Sequence, residues 1–256
     1  MKHIGQGELH LWYSLTEDLI NRPELIAAYQ TLLTPAELSA LAKRCGPEVK
    51  MEFLVTRALA RTVLAAYTGM PPSVLEFVVS TFGRPHLAHY GLAERLDFNI
   101  SHSNGVVIIA VTNGPAVGVD VEALDRDLNL ADLLSAAVFS DEEKRWILQQ
   151  ERQRRFLQLW TLKEAWAKAR GYGLSDRVRD AHFNIDPDGK IKFSLPAEED
   201  GSQTAWAFEQ KVIEERFLLS VAVLYSSALD FSSFRSILLR PEDLIAGELE
   251  HADLSP

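Results

Sequence analysis

Six consecutive apolar residues, Val106, Val107, Ile108, Ile109, Ala110 and Val111, constrain this chain more than any other feature. Successive strand residues point to opposite faces, so an unbroken apolar strand has to be covered on both. The run therefore belongs at the centre of a sheet, and 256 residues supply enough chain for layers on either side. Residues 97–101 read as a strand before it. Asn113-Gly114 is a turn signal after it, and 117–121 reads as a third strand.

The flanks alternate in character. Residues 9–15 are aromatic and strand-like, and 18–45 are helical, with Thr34 and Pro35 at an N-cap and first-turn position and Glu37 in the first turn. Residues 49–67 carry an apolar stripe of Phe53, Leu54, Ala58, Val63 and Leu64, which predicts an amphipathic helix stopped by Gly69 and Pro71-Pro72. A strand at 75–81 leads into a Gly83-Arg84-Pro85 turn. Residues 130–172 read as helical, with a capping box at Ser140 to Glu143 and a stop at Gly171 and Gly173. Strands return over 181–225, with a hairpin turn at 186–189. The order predicts an α+β fold of two similar α/β halves in pseudo-twofold arrangement, 1–115 and 116–230. An acidic tail is placed at 231–256, and its last stretch, 241–256, poor in large apolar residues, reads as frayed or disordered.

Net charge is −10, which argues against a general nucleic-acid binder. The charge is unevenly spread, however. Residues 1–143 carry −8 and 180–256 carry −9, whereas 144–179 carry +7, from ten basic and three acidic side chains. A basic segment in an acidic protein predicts a local site for an anionic ligand or partner, with a solvated helix face as the equal alternative. The lone Cys45 favours a reducing cytoplasm, and neither a signal-peptide core nor an apolar run long enough to span a membrane is present in the sequence.

Three constellations could carry chemistry. Asp120 and Glu122 alternate on a strand and so face one point, which needs a cation to neutralise them. Carboxylate oxygens suit Mg²⁺, although a strand end with exposed acids is the commoner case. In the segment from Trp160 to Lys168, the residues Trp160, Lys163, Glu164, Ala167 and Lys168 share one helix face, and Leu159, Leu162 and Trp166 share another that should be core. Glu164 and Lys168 alone would be an ordinary surface pair; inside the basic segment they offer a third carboxylate and a phosphate-binding ammonium. Last, Gly83-Arg84-Pro85 presents an arginine from a stiff turn, and Ser101-His102-Ser103 offers hydroxyls and an imidazole. No nucleophile-elbow, phosphate-loop, dinucleotide-binding, zinc-protease or paired-cysteine motif accompanies them.

Taken in order, FGRPHL (82–87), FNISHS (98–103), VGVDVE (117–122), FSDEE (139–143) and FLQLWTLKEAWAKARGYGLS (156–175) resemble the 4'-phosphopantetheinyl transferase superfamily, in its larger, monomeric, surfactin-synthetase-activating type. The helix at 53–67 is similar to the one that precedes the Gly-Arg-Pro turn in that family. The resemblance covers about residues 10–225 and implies transfer of the phosphopantetheine arm of coenzyme A to a serine of an apo acyl, peptidyl or aryl carrier protein, releasing adenosine 3',5'-bisphosphate. It implies a coenzyme A-binding first half and a second half that binds metal and carrier, with the ligand in the cleft between them. By this resemblance Asp120, Glu122 and Glu164 hold Mg²⁺, with Mn²⁺ as a substitute, and His102 and Lys168 contact phosphate. Glu164 or a metal-bound hydroxide takes the serine proton. Arg84, Pro85 and Ser101 belong to the adenosine end of the same pocket, and the 3'-phosphate falls to basic residues near the helix, of which Arg44, Lys50 and Arg57 are the candidates. Glu52 departs from the family pattern, which tends to have Arg there.

Carrier proteins are usually acidic around their serine, so the docking surface is expected near 144–179, on a cytoplasmic monomer that binds neither nucleic acid nor membrane. Two other functions fit the same residues. One is a protein that grips coenzyme A or a carrier without chemistry; the other is a Mg²⁺-dependent hydrolase of coenzyme A-like pyrophosphates.

Overall fold

The computed structural model describes residues 2–5, 7–88, 96–114, 116–135, 138–171, 177–195, 204–226 and 233–238. In chain order the elements are β1 (Glu8–Leu15), α1 (Pro23–Thr31), α2 (Pro35–Ala42), α3 (Pro47–Thr68), β2 (Phe77–Val79), β3 (Pro85–Leu87), β4 (Leu96–Ser103), β5 (Val106–Asn113) and β6 (Val117–Ala123). There follow α4 (Leu130–Ser135), α5 (Asp141–Gln149), α6 (Arg152–Arg170), α7 (Arg177–Asp180), β7 (His182–Ile185), β8 (Ile191–Ser194), β9 (Thr204–Ile213), β10 (Phe217–Ser226) and β11 (Ser233–Leu238). The chain divides into two units, Met1–Gly114 with Phe231–Pro256, and Pro115–Asp230.

In the first unit the sheet order is β11-β1-β5-β4, antiparallel except where β11 runs parallel to β1. β5 is interior, and its apolar run explains why. Val107, Ile109 and Val111 enter the core with Trp12, Leu59, Val63 and Leu64, while Val106, Ile108 and Ala110 on the other face are just as fully buried. α3 packs on this sheet, starting at Pro47 and ending at the left-handed Gly69 (φ 72°). α2 opens with the predicted N-cap at Thr34, which closes a capping box with Glu37. Buried Arg61 then binds Glu37 at 2.8 Å and the carbonyls of Pro72 and Leu75, tying α2, α3 and the following loop together.

The second unit pairs the antiparallel sheet β6-β10-β9 with α6, which lies against β6 and β10. Gly118 permits that approach: a methyl there would overlap the carbonyl oxygen of Ala165 and come within 2.5 Å of the Ala169 amide nitrogen. Each unit thus sets one long helix on a largely antiparallel sheet, and the α+β reading holds. No helix among the described residues is long and apolar enough to cross a membrane.

Three expectations need correction. The helical stretch read at 130–172 is broken between α5 and α6, where Glu151 adopts a left-handed backbone (φ 44°) with no Gly or Pro to announce it. Lys163 does not share the outward face of Glu164. It is fully buried, with Nζ 3.1 Å from Glu143 Oε1 and donating to the carbonyls of Val178 and Ala181 at 3.0 and 2.6 Å. The tail expected from 231 contributes β11 to the first unit's sheet, because residues 233–238 satisfy their backbone groups against β1. The rest of the tail and Gly173 lie outside the described residues.

Candidate active site

β6 and α6 together build an acid–lysine cluster. Every residue of β6 is buried, and Asp120 and Glu122, two apart, emerge on one side of the strand. The close packing permitted by Gly118 brings the outer face of α6 to them, with Glu164 and Lys168 one helical turn apart. Lys168 Nζ lies 2.6 Å from Asp120 Oδ1. Glu122 Oε1 receives Arg126 Nη1, also at 2.6 Å.

Glu164 holds its proton more tightly than an ordinary carboxyl. Burial is the first cause and the charge of Asp120 the second; Lys168 pulls the other way, and Glu122 adds to the rise, leaving the group pushed up to about 7. A carboxyl whose proton affinity is raised by neighbouring acids is short of a cation. Among the described residues no three Asp, Glu, His or Cys side chains already converge as a metal cage, since Lys168 and Arg126 now neutralise two of the acids. The donor chemistry nevertheless fits a hard divalent ion: three carboxylates around one strand and one helix, with the excess charge carried by Glu164.

The residues singled out in the first unit form separate groups. Arg84, buried, places Nη2 2.6 Å from Asp97 Oδ2 and 3.1 Å from the Phe98 carbonyl, so the Gly-Arg-Pro turn is clamped to β4. Pro85 opens β3 beside it. Ser101 and His102, both expected in the ligand pocket, are consecutive residues of β4 and face opposite sides of the sheet. Ser101 is buried, and His102 is exposed on the α3 side with Nδ1 3.0 Å from Glu52 Oε1. Arg44 and Arg57 converge on Phe53, their guanidinium carbons 3.6 and 5.1 Å from the ring centre. Lys50 lies apart from them, along an apolar groove with Ile26, Leu38, Leu41 and Met51. Burial depresses Arg57; Glu37 opposes that and the charges of Arg44 and Arg61 add to it, so an anion here would be welcomed.

Sequence reasoning missed the side chains that partner the predicted site residues. Arg126, Asp97 and Glu52 each hold one of the expected site residues. A signal existed for Arg126, because two buried acids on one strand face demand a nearby cation. None existed for Asp97, whose value depends on where the turn folds back.

Residues 116–222 match the model of a family described as the 4'-phosphopantetheinyl transferase superfamily. The 4'-phosphopantetheinyl transferase HetI of Nostoc sp. is 26% identical over 218 residues, covering 84% of this chain and 87% of that protein. The 4'-phosphopantetheinyl transferase Sfp of Bacillus subtilis is 28% identical over 171 residues, covering 66% and 73%. The L-aminoadipate-semialdehyde dehydrogenase-phosphopantetheinyl transferase of Eremothecium gossypii is 31% identical over 165 residues, and the chain spans 58% of its length. Among solved structures, a holo-(acyl-carrier-protein) synthase from Bacillus anthracis is 21% identical with a TM-score of 0.35, covering 44% of this chain and 96% of that one. The segment 116–222 that matches this family model contains Asp120, Glu122, Glu164 and Lys168, so the similarity falls on the residues of the acid–lysine cluster.

Proposed function

We propose that this protein transfers the 4'-phosphopantetheine arm of coenzyme A to a serine hydroxyl of an apo carrier protein. The serine oxygen forms a bond to the phosphorus nearer pantetheine, the pyrophosphate P–O bond breaks, and adenosine 3',5'-bisphosphate leaves with the electron pair. The observation that carries this reading is the cluster of Asp120, Glu122, Glu164 and Lys168 on β6 and α6.

Asp120, Glu122 and Glu164 would hold Mg²⁺, which supplies positive charge to the pyrophosphate oxygens and shields them from the three carboxylates. Lys168 is the ammonium that turns from Asp120 to phosphate and balances charge on the departing group. Glu164 accepts the serine proton. His102 donates to a phosphate of coenzyme A. Arg44 and Arg57, already gathered on Phe53, suit the 3'-phosphate better than Lys50 does. Arg84 serves this end of the ligand through the turn it clamps, since its guanidinium is engaged with Asp97.

The carrier docks on the basic segment. Arg145, Arg152 and Arg154 are exposed there, whereas Arg155 packs on Trp146 and bonds its carbonyl. The enzyme acts as a cytoplasmic monomer, a setting that the single exposed Cys45 fits.

Intact-mass measurement of an apo carrier incubated with coenzyme A and Mg²⁺ tests this reading. Transfer adds about 340 Da to the carrier, as one phosphopantetheine arm requires. Consumption of coenzyme A without that gain makes the protein a hydrolase, and binding without either makes it a coenzyme A-binding protein.

A further inference from the structure

Glu52 on α3 and His102 on β4 are fifty residues apart in sequence and meet at 3.0 Å, Oε1 to Nδ1. Glu52 is 29% exposed and His102 48%, so the pair sits at the surface end of the α3–β4 packing. A carboxylate only accepts, so Nδ1 is the nitrogen that carries the proton, and the ring's tautomer and orientation follow. Among the described residues Nε2 of His102 has no protein partner.

By itself a glutamate here would repel a phosphate. Its contact with His102 reverses that effect. An anion at Nε2 needs that nitrogen to donate, and with Nδ1–H already held by Glu52 the ring then carries both protons and a full charge. Glu52 is the counter-charge that keeps such an imidazolium in place. We infer that Glu52 is a positioning residue for coenzyme A: it orients His102 and compensates its charge, so that an imidazolium does what an arginine at position 52 would otherwise do. This rests on the reading of His102 as a phosphate contact. The phosphate is either the 3'-monoester or the pyrophosphate, and the ligand series below separates the two.

The test is calorimetric titration of the full-length protein with coenzyme A and with 3'-dephospho-coenzyme A, which needs no carrier, alongside kcat for transfer and a thermal melt. Glu52→Gln should weaken coenzyme A binding about five- to tenfold, in line with the loss of one charge-assisted hydrogen bond. Its melt and its kcat at saturating coenzyme A should stay near wild type. Glu52→Asp should recover most of the affinity, and Glu52→Gln should add nothing on a His102→Ala background. If the loss disappears with 3'-dephospho-coenzyme A the 3'-phosphate is the ligand; if it persists, the pyrophosphate is. Should His102→Ala weaken binding while Glu52→Gln does not, or should the two losses add, the positioning role is overturned and the phosphate contact stands. Unchanged binding in His102→Ala overturns both.

Discussion

Lys168 Nζ sits 2.6 Å from Asp120 Oδ1, so the ammonium proposed to bind phosphate rests on a carboxylate proposed to bind metal. The two elements that carry them, β6 and α6, touch through Gly118. Site geometry and helix–sheet packing are therefore one problem in this unit.

Glu164 makes the metal-free protein sensitive to pH. The folded state holds its proton up to about pH 7, whereas an ordinary carboxyl releases it near 4.5. Between those values the folded state binds more protons, so this group's contribution to stability falls as pH rises through the window and is absent above it. The loss should be about 2 kcal/mol once solvent screening is allowed for. Thermal melts without metal from pH 5 to 8 should decline in wild type and be flatter in Glu164→Gln. Parallel curves would show that Glu164 titrates as an ordinary carboxyl.

Gly118→Ala should separate the cluster. The added methyl meets backbone of Ala165 and Ala169, which cannot swing aside as a side-chain tip can. Overpacking of this kind costs about 1–3 kcal/mol and should displace α6 from β6. A lower melting temperature with transfer reduced at least tenfold in the fraction still folded is expected. Wild-type activity in a folded variant would mean that the helix position is not what assembles the site.

Lys163 predicts a purely structural defect. Its ammonium joins Glu143 to the carbonyls of Val178 and Ala181, all in one buried knot. Lys163→Ala strands the Glu143 carboxylate and should cost about 3–5 kcal/mol, whereas Lys163→Met should cost less because it refills the volume. Chemical denaturation of both variants measures the difference. Equal and small losses would show that the knot is dispensable.

The exposed arginines form the proposed docking face for the carrier. Charge reversal at Arg152 or Arg154 should raise KM for an acidic carrier several-fold and leave coenzyme A binding unchanged. The effect should shrink as salt is raised. A carrier KM unmoved by both variants at low salt would take this face out of docking.

The parts of the fold written in contiguous sequence were legible. The unbroken run at 106–111 demanded an interior strand and became β5, and the Ser140 capping box and the Thr34 N-cap marked true helix starts. What depended on left-handed backbone at ordinary residues was not. Glu151 ends one helix and admits the next, and Glu214 and Glu215 (φ 49° and 54°) turn β9 into β10 where Gly or Asn would have been the visible sign. Contacts between distant segments were hidden as well. The pairing of β11 with β1 joins the two ends of the chain, and Asp97 and Glu52 became partners of Arg84 and His102 only through the packing of β4. At the site, the motif order pointed to Asp120, Glu122, Glu164 and Lys168. Helical periodicity put Lys163 on the same face, and burial against Glu143 moved it into the core.

The most direct measurement is the time course of carrier mass for wild type, Asp120→Asn and Glu122→Gln across a Mg²⁺ titration. Wild type should convert the carrier completely in a metal-dependent way. Both variants should fall by at least about a hundredfold in turnover, in keeping with loss of a group that positions a phosphoryl-transfer ion. Wild-type rates in both variants, or full conversion by wild type in excess chelator, would contradict a metal-assisted transfer centred on β6 and α6.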